Sequence, residues 1–461
     1  MLQPIRRADA ALALGIASLV AGCSFVPDYE RPSVPVPQAW STASPTTPAA
    51  PISADWWRLF GSPELDTLMA EALAANQDLA AAMARIDQAR AVTRIAGAPL
   101  LPLVDASGSG ARLHSEDGGD WRTTTSYGGA LTASYEIDLW GKNAAGLQAA
   151  EAALSSTVFD RDALTLVLQA DVASTYFLAV ALKDRLTIAR DNLDASRQVL
   201  QVVEARFVQG AASALEVAQQ RSAVASFEAQ IPQLEQQLQA AQTSLDILLG
   251  RAPGATVVQA EALTSLALPA VAAGQPSALL ERRPDIRRSE ADLLAANADI
   301  GAARAAFYPS ITLSASAGIE GVASGGASAL ASLVAGLVQP IFTGGALEGE
   351  LDRSLARREE LVAGYRQTVL IAFKEVQDAL MTVETSAART ALLSRAAEES
   401  RTAFRLAQVA YGAGASDFLT VLDAQRTLLS NEDSLVQAEL DRYTTSAGLF
   451  KALGGGWRSG A

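Results

Sequence analysis

The sequence predicts a mainly α-helical protein made of two copies of one plan, each with a β-hairpin and a pair of very long antiparallel helices. Three patterns say so. Ala205–Val217 (ARFVQGAASALEV) aligns without a gap on Val409–Val421 (VAYGAGASDFLTV), 204 residues later, and the match runs from Tyr135 to Gly250. Heptads are sustained: Leu186, Leu193, Leu200 and Phe207, then Val217, Val224, Ile231, Leu238 and Leu245, so long helices pack side by side at a shallow angle. Elsewhere the period drops to two, with Tyr127, Gly129, Leu131, Ala133, Tyr135, Ile137 and Leu139 on one face and Gly128, Ala130, Thr132, Ser134, Glu136 and Asp138 on the other.

Composition narrows the function. Half of the 461 residues are apolar, and the net charge of −14 argues against a nucleic-acid partner, which needs clustered Lys and Arg. The single histidine, His114, excludes a histidine base–nucleophile pair and a multi-histidine metal site. No catalytic constellation, metal site or cofactor is expected. Beyond the N-terminus no apolar run reaches the 18 or so residues of a spanning helix, so a membrane role needs another kind of span.

Taken in order, residues 1–22 read as a signal peptide, with Arg6 and Arg7 before the apolar core Ala10–Ala21. Val20, Ala21 and Gly22 lead into Cys23, the only cysteine, in a pattern that resembles the bacterial lipobox. Covalent lipid (diacylglycerol and N-acyl) on Cys23 is expected, with Ser24 after it pointing to the outer membrane. Residues 23–61 form an anchor and an extended segment rich in Pro and Ser. A first repeat spans 62–254: a helix of about 35 residues, a hairpin over about 102–139, and helices over about 142–208 and 214–249. Residues 142–208 contain no proline, a rod of roughly 100 Å at 1.5 Å per residue. Pro232 should kink the next helix. After a linker at 255–275, the second repeat spans 276–454, with a hairpin near 309–342 and helices near 346–411 and 417–453; residues 455–461 are a tail. Asn76–Pro102 aligns on Arg283–Pro309 at an offset of 207, and the change in offset falls inside a hairpin loop, where length is tolerated. In ERRPDIRR, Pro284 suits a first helical turn and Asp285 its dipole.

Two hairpins give four strands. Strands with an apolar and a polar face suit a transmembrane barrel, though also a half-buried soluble sheet. Four cannot close a membrane barrel, and an open edge cannot sit in lipid. If the strands span a membrane, two, three or four chains must share one barrel of 8, 12 or 16 strands.

Several stretches then carry a family resemblance: CSFVPDYERPSVPVPQAW, WWRLFGSPELDTLMAEALAANQDL, YEIDLWGK, ERRPDIRRSEADLLAANADIGAARAAFYPS, VLDAQRTLL and LFKALGGGW. They occur in order from residue 23 to residue 457 and so span nearly the whole mature chain. The sequence resembles the outer-membrane factors of tripartite efflux pumps, the TolC and OprM family, in its lipoprotein branch. That resemblance implies a homotrimer with a 12-stranded barrel in the outer membrane and a periplasmic helical tunnel. It would be a passive duct fed by an inner-membrane transporter of the RND type through a periplasmic adaptor. It also implies adaptor-docking tips at Gly210, Ser213 and Leu215 and at Gly414, Ser416 and Leu419. At the periplasmic gate, Leu419 matches an apolar ring, Asp423 a carboxylate ring, and Tyr411 and Arg426 residues that tie neighbouring helices. Gln219 stands where the second copy has Asp423, and Arg206 where it has Ala410, so the two hairpins should differ. On spacing alone, Asp423 and Arg426 read as an ordinary i, i+3 pair on a solvated face.

Other readings are a periplasmic adaptor, a coiled-coil lipoprotein scaffold, and, within the family, a type I secretion or metal-efflux channel. An adaptor would have one hairpin and several small β domains, and a pure scaffold would lack the alternating strands. Drug efflux is favoured within the family by the lipobox and the PDYERP start.

Overall fold

A computed structural model describes residues 24–41, 53–260 and 262–455, with only the backbone of Asp117. Cys23, the signal peptide and Trp457 lie outside the described residues. The elements are α1 (Pro63–Ala75), α2 (Gln77–Gly97), β1 (Leu103–Asp117), β2 (Asp120–Ile137), α3 (Lys142–Val208), α4 (Ala214–Leu248), α5 (Leu279–Arg282), α6 (Pro284–Ala305), β3 (Ser310–Val322), β4 (Ala327–Val338), α7 (Ala346–Gly412) and α8 (Phe418–Ala452). The duplication reaches the helix ends. Lys142 and Ala346 open helices of 67 residues, and Ala214 and Phe418 open helices of 35, each pair of starts 204 apart.

The chain divides into two compact units. One comprises Met1–Ser33, Ala84–Phe159 and Arg287–Gln367 and holds the sheet, an antiparallel ribbon in the order β1-β2-β3-β4. Its register brings like faces together. Ile137, Tyr135, Ala133 and Leu131 lie opposite Ile311, Leu313, Ala315 and Ala317, while Thr132, Ser134 and Glu136 lie opposite Ser316, Ser314 and Thr312. On the polar face the Ser316 and Ser332 hydroxyls are 2.8 Å apart. β4 is exposed along its whole length, Leu330, Leu333, Val334, Leu337 and Val338 included.

β1 and β2 lie within the expected hairpin limits, but the stretch RLHSEDGGDW, which reads from the sequence as an exposed loop, is strand on both sides of a two-residue turn. His114, read from the sequence as a loop residue, lies in β1 opposite Thr123, its Nδ1 2.7 Å from the Thr123 hydroxyl and its ring stacked on Trp121. The turn is only Gly118–Gly119, with φ of 62° and 95°, the two positive values that a tight hairpin turn needs. Residues 24–41 of the N-terminal segment form neither helix nor strand. Arg31 pairs with Glu290 at 2.7 Å, Phe25 stacks on Tyr308 at 4.5 Å, and Gly301 admits Val26 where a Cβ would stand 2.4 Å from its side chain.

Val34–Met83, Asp160–Ile286 and Thr368–Ala461 form the other unit. Its largest core gathers Trp56, Phe60, Phe177, Tyr443 and Phe450, with Trp56 stacked on Phe450 at 4.9 Å. Val258 and Leu263 of the linker are fully buried there, and the Tyr443 hydroxyl donates to the Leu263 and Leu266 carbonyls. α3 does contain a window long and apolar enough to cross a membrane, contrary to the sequence reading; 56% of it is buried inside the protein, as in a core helix. α4 runs through Pro232, which can donate no hydrogen bond to Glu228.

The expected first helix of about 35 residues is broken. Asn76, with ψ of 130°, separates α1 from α2. Its Oδ1 accepts from the Asp78 and Leu79 amides, and its Nδ2 donates to the Leu248 carbonyl. Arg283, 207 residues on, separates α5 from α6 and donates to the Ala452 carbonyl, while pairing with Asp285 at 2.6 Å and Glu375 at 2.7 Å. Each copy thus ties the break in its first helix to the end of its last one. The glycines just beyond those ends, Gly250 and Gly454, are pressed against Ala75 and Arg282.

The helix tips and the candidate gate

Both helix reversals are built alike. α3 ends with Gly210 at φ 71°, where Gly210 N–H donates to the Phe207 carbonyl at 3.0 Å and Ala211 N–H to that of Arg206 at 2.8 Å. α7 ends with Gly414 at φ 73°, with Gly414 to Tyr411 at 3.0 Å and Ala415 to Ala410 at 2.8 Å. These paired bonds satisfy carbonyls that a helix end leaves open, and they need a residue with positive φ. Ser213 then caps α4: its hydroxyl accepts from the Glu216 amide, and the Glu216 carboxylate accepts from the Ser213 amide. In the second copy the cap of α8 is Asp417, which accepts from the Thr420 amide at 2.8 Å; Ser416, just before it, is not the cap. Leu215 and Leu419 are 65% and 59% exposed, large apolar side chains with nothing over them.

Tyr411 is buried and joins the two tips. Its hydroxyl donates to Glu216 Oε2 at 2.7 Å, its ring meets Phe418 edge-on at 5.8 Å, and Arg206 lies over its face at 4.4 Å. The Arg206 guanidinium also donates to the Tyr411 carbonyl. Beneath them Val203, Val217, Phe404, Val421 and Leu422 form a second core. Burial, then the Glu216 carboxylate, push the Tyr411 hydroxyl up to about 12, so it keeps the proton it donates at neutral pH. Burial alone would raise Glu216, but bonds from Tyr411 and Ser213, with the Arg206 charge, outweigh it and hold the carboxyl below its ordinary 4.5.

Acid should therefore loosen this tie. A lowered carboxyl stabilises the fold fully above its ordinary value and loses that contribution as pH falls through the lowered one. The difference in thermal midpoint between the wild type and Glu216→Gln should be full at pH 6 and shrink as pH falls below the ordinary carboxyl value of 4.5. A constant difference over that range would separate the tie from the charge on Glu216.

The structure does not bring the four expected gate residues together. Asp423 is exposed, one turn beyond Leu419 on α8. Asp423 and Arg426 form no ion pair, with each other or with any described residue. Arg426 lines instead a polar cavity of about 480 Å³ with Arg185, Gln230, Gln233 and Asp433, where Arg185 pairs with Asp433 at 2.6 Å. Gln425, fully buried between the two, has no hydrogen-bond partner for either amide atom among the described residues. Such a group costs about 1–3 kcal/mol. Sequence reasoning missed Glu216 and Arg206 as partners of Tyr411. The capping-box spacing of Ser213 and Glu216 was the available signal.

The family model described as "Outer membrane efflux protein" matches residues 68–251 and 275–455. The chain belongs to the outer membrane efflux protein family. It is 41% identical over 452 residues to the pyoverdine export outer membrane protein OpmQ of Pseudomonas aeruginosa, covering 96% of this chain and 95% of that protein. Among solved structures it superposes on the outer-membrane channel OprN with a TM-score of 0.87 at 29% identity, over 93% of this chain and 98% of that one. It also superposes on the open state of the MtrE outer membrane channel of Neisseria gonorrhoeae with a TM-score of 0.84 at 30% identity, over 94% and 98%. The family places the chain in the outer membrane as an efflux protein.

Proposed function

We propose that three copies of this chain form the outer-membrane exit duct of a tripartite efflux system. It passes small molecules, drugs among them, from an inner-membrane RND transporter and a periplasmic adaptor to the exterior. The observation that carries this is the ribbon with two unpaired edges, β1 and β4, in a chain of the outer membrane efflux family. In lipid those edges need partners, and three ribbons give a closed barrel of 12 strands. The helices form a tunnel in the periplasm, and each chain presents two tips, Gly210–Leu215 and Gly414–Leu419, to the adaptor. Leu419 and Asp423 line the gate, Tyr411 holds the tips at rest, and Arg426 joins them in the trimer. The 41% identical pyoverdine exporter extends the cargo class to siderophore-like molecules.

Native mass spectrometry of the mature protein in detergent tests the reading: three chains per particle support it, and a stable monomer overturns it. Acyl groups on Cys23 anchor each chain beside the barrel. Cys23→Ser should abolish lipid labelling and leave the precursor uncut at this site, and normal labelling of that variant would remove the anchor from the proposal.

A further inference from the structure

The two copies part company inside the unit that holds the aromatic core. In the first copy Tyr176 and Val180 of α3 are fully buried, and Leu238 of α4 packs against the same core. At the offset of 204 the second copy has Leu380, Glu384 and Arg442. Two core positions have thus become a carboxylate and a guanidinium. Opposite charges set among apolar residues ordinarily pair. Glu384 and Arg442 form no salt bridge with each other or with any described residue, and both line one cavity of about 350 Å³.

Three pieces of chain, all within that unit, build the cavity. Leu380, Val383, Glu384 and Ala387 recur at the spacing of one α7 face, and Arg442, Ser446 and Leu449 at that of one α8 face. Leu268, Pro269 and Val271 of the linker form the third wall. That wall is held from both ends. The Tyr443 hydroxyl donates to the Leu266 carbonyl at 2.8 Å, and the Trp40 indole N–H donates to the Gly274 carbonyl at 2.9 Å. Ser446 is only 4% exposed, and its hydroxyl has no hydrogen-bond partner among the described residues. A hydroxyl on a helix can bond the carbonyl four residues back, as Thr444 does to Leu440 at 3.0 Å; Ser446 does not.

We infer that this cavity binds small amphoteric molecules with an apolar body. Arg442 takes the acidic group, Glu384 the basic one, and the Ser446 hydroxyl a polar atom of the ligand. Apolar walls with a few convergent polar groups are what a small-molecule site consists of, and the volume lies in the range of about 300–1,000 Å³ that such sites have. The first copy shows the alternative, the same place closed by apolar side chains. The site belongs to a single chain, so the inference goes beyond the exit-duct reading and does not need the trimer.

Three probes with one body separate the two charges: the dipeptide leucyl-phenylalanine, its C-terminal amide and its N-acetyl form. Titration calorimetry of the mature full chain in detergent should show saturable binding of the dipeptide, with the amide and the acetyl form each about tenfold weaker. Arg442→Gln should remove the preference for the acid over its amide, and Glu384→Gln that for the free amine over its acetyl form. Ser446→Ala should weaken the dipeptide about twofold to tenfold without lowering the thermal midpoint, because its hydroxyl has no bond within the chain to lose. Glu384→Val with Arg442→Leu restores the residues of the first copy and should abolish binding while raising the midpoint. Equal binding of all three probes overturns the recognition of charge. Dipeptide binding unchanged in Arg442→Gln and Glu384→Gln puts the ligand elsewhere and overturns the site. No saturable binding of any probe overturns the inference, whether native mass spectrometry finds trimers or monomers.

Discussion

Gly250→Ala should destabilise the protein by about 2–5 kcal/mol, while Gly210→Ala, in the same backbone conformation, should cost only about 1–2 kcal/mol. Both glycines end a helix at φ near +70°, where an L side chain is strained. They differ in what surrounds them. A Cβ on Gly250 would lie 2.3 Å from the Ala75 carbonyl oxygen, whereas one on Gly210 meets nothing within 4 Å. The backbone that Gly250 touches is the end of α1, and the neighbouring Asn76 side chain bonds to Leu248, so the clash cannot relax without parting the two helices. Gly454 repeats the arrangement, with its Cβ position 2.9 Å from the Arg282 carbonyl, and Gly414 repeats that of Gly210. Chemical denaturation in detergent should rank Gly250→Ala and Gly454→Ala well below Gly210→Ala and Gly414→Ala. Equal losses at all four sites would mean that backbone strain alone sets the cost.

That contrast also marks what the sequence makes legible. All four glycines stand out as repeated breaks, because a positive φ leaves a local trace. The close approach at Gly250 is a contact between residues about 175 apart, which no local pattern records. The helices were legible because burial repeats with their period: Leu193, Phe227, Leu245, Leu422 and Phe450 are all buried. The break at Asn76 was not, since that residue is compatible with a helix and its conformation is set by a distant carbonyl. The outer half of the first hairpin was hidden for another reason. Arg112, His114, Glu116 and Asp120 are polar on a stretch held by ladder bonds and by the contacts of His114 with Thr123 and Trp121, so alternation vanishes where the strand does not.

At the tips, spacing misled. Three residues on a helix favour an ion pair between Asp423 and Arg426, yet Arg426 turns to the polar cavity between α3, α4 and α8. Spacing is silent about Tyr411 and Glu216, which lie 195 positions apart in the chain and 2.7 Å apart in space. The inequality of the copies was legible all the same. Phe207 and Thr420 occupy the positions of Tyr411 and Glu216 at the offset of 204, and Ala410 that of Arg206. A hydroxyl-to-carboxylate bond and a guanidinium therefore join the tips within a chain, and their counterparts can form neither.

Tyr411→Phe combined with Arg206→Ala should raise the resting conductance of the channel in planar bilayers at least about tenfold. Hydrogen bonds to a charged group contribute about 1.5–3 kcal/mol each, and 1.4 kcal/mol is a factor of ten in an equilibrium. Each chain loses the bond from Tyr411 to Glu216, and the Arg206 contacts with the Tyr411 ring and carbonyl. Phe keeps the ring that fills the core beneath the tips, so the loss falls on the tie rather than on packing. Asp423→Ala with Arg426→Ala should raise the conductance as well, through a different route. Neither side chain has an ion-pair partner among the described residues, so on the proposed trimer their effect would run through neighbouring copies. If the tip pair opens the channel and the Asp423 pair does not, the resting state is held by contacts inside each chain and the carboxylate ring is passive. If neither pair changes the closed current, the tie at Tyr411 is structural, and the constriction lies elsewhere along the helices.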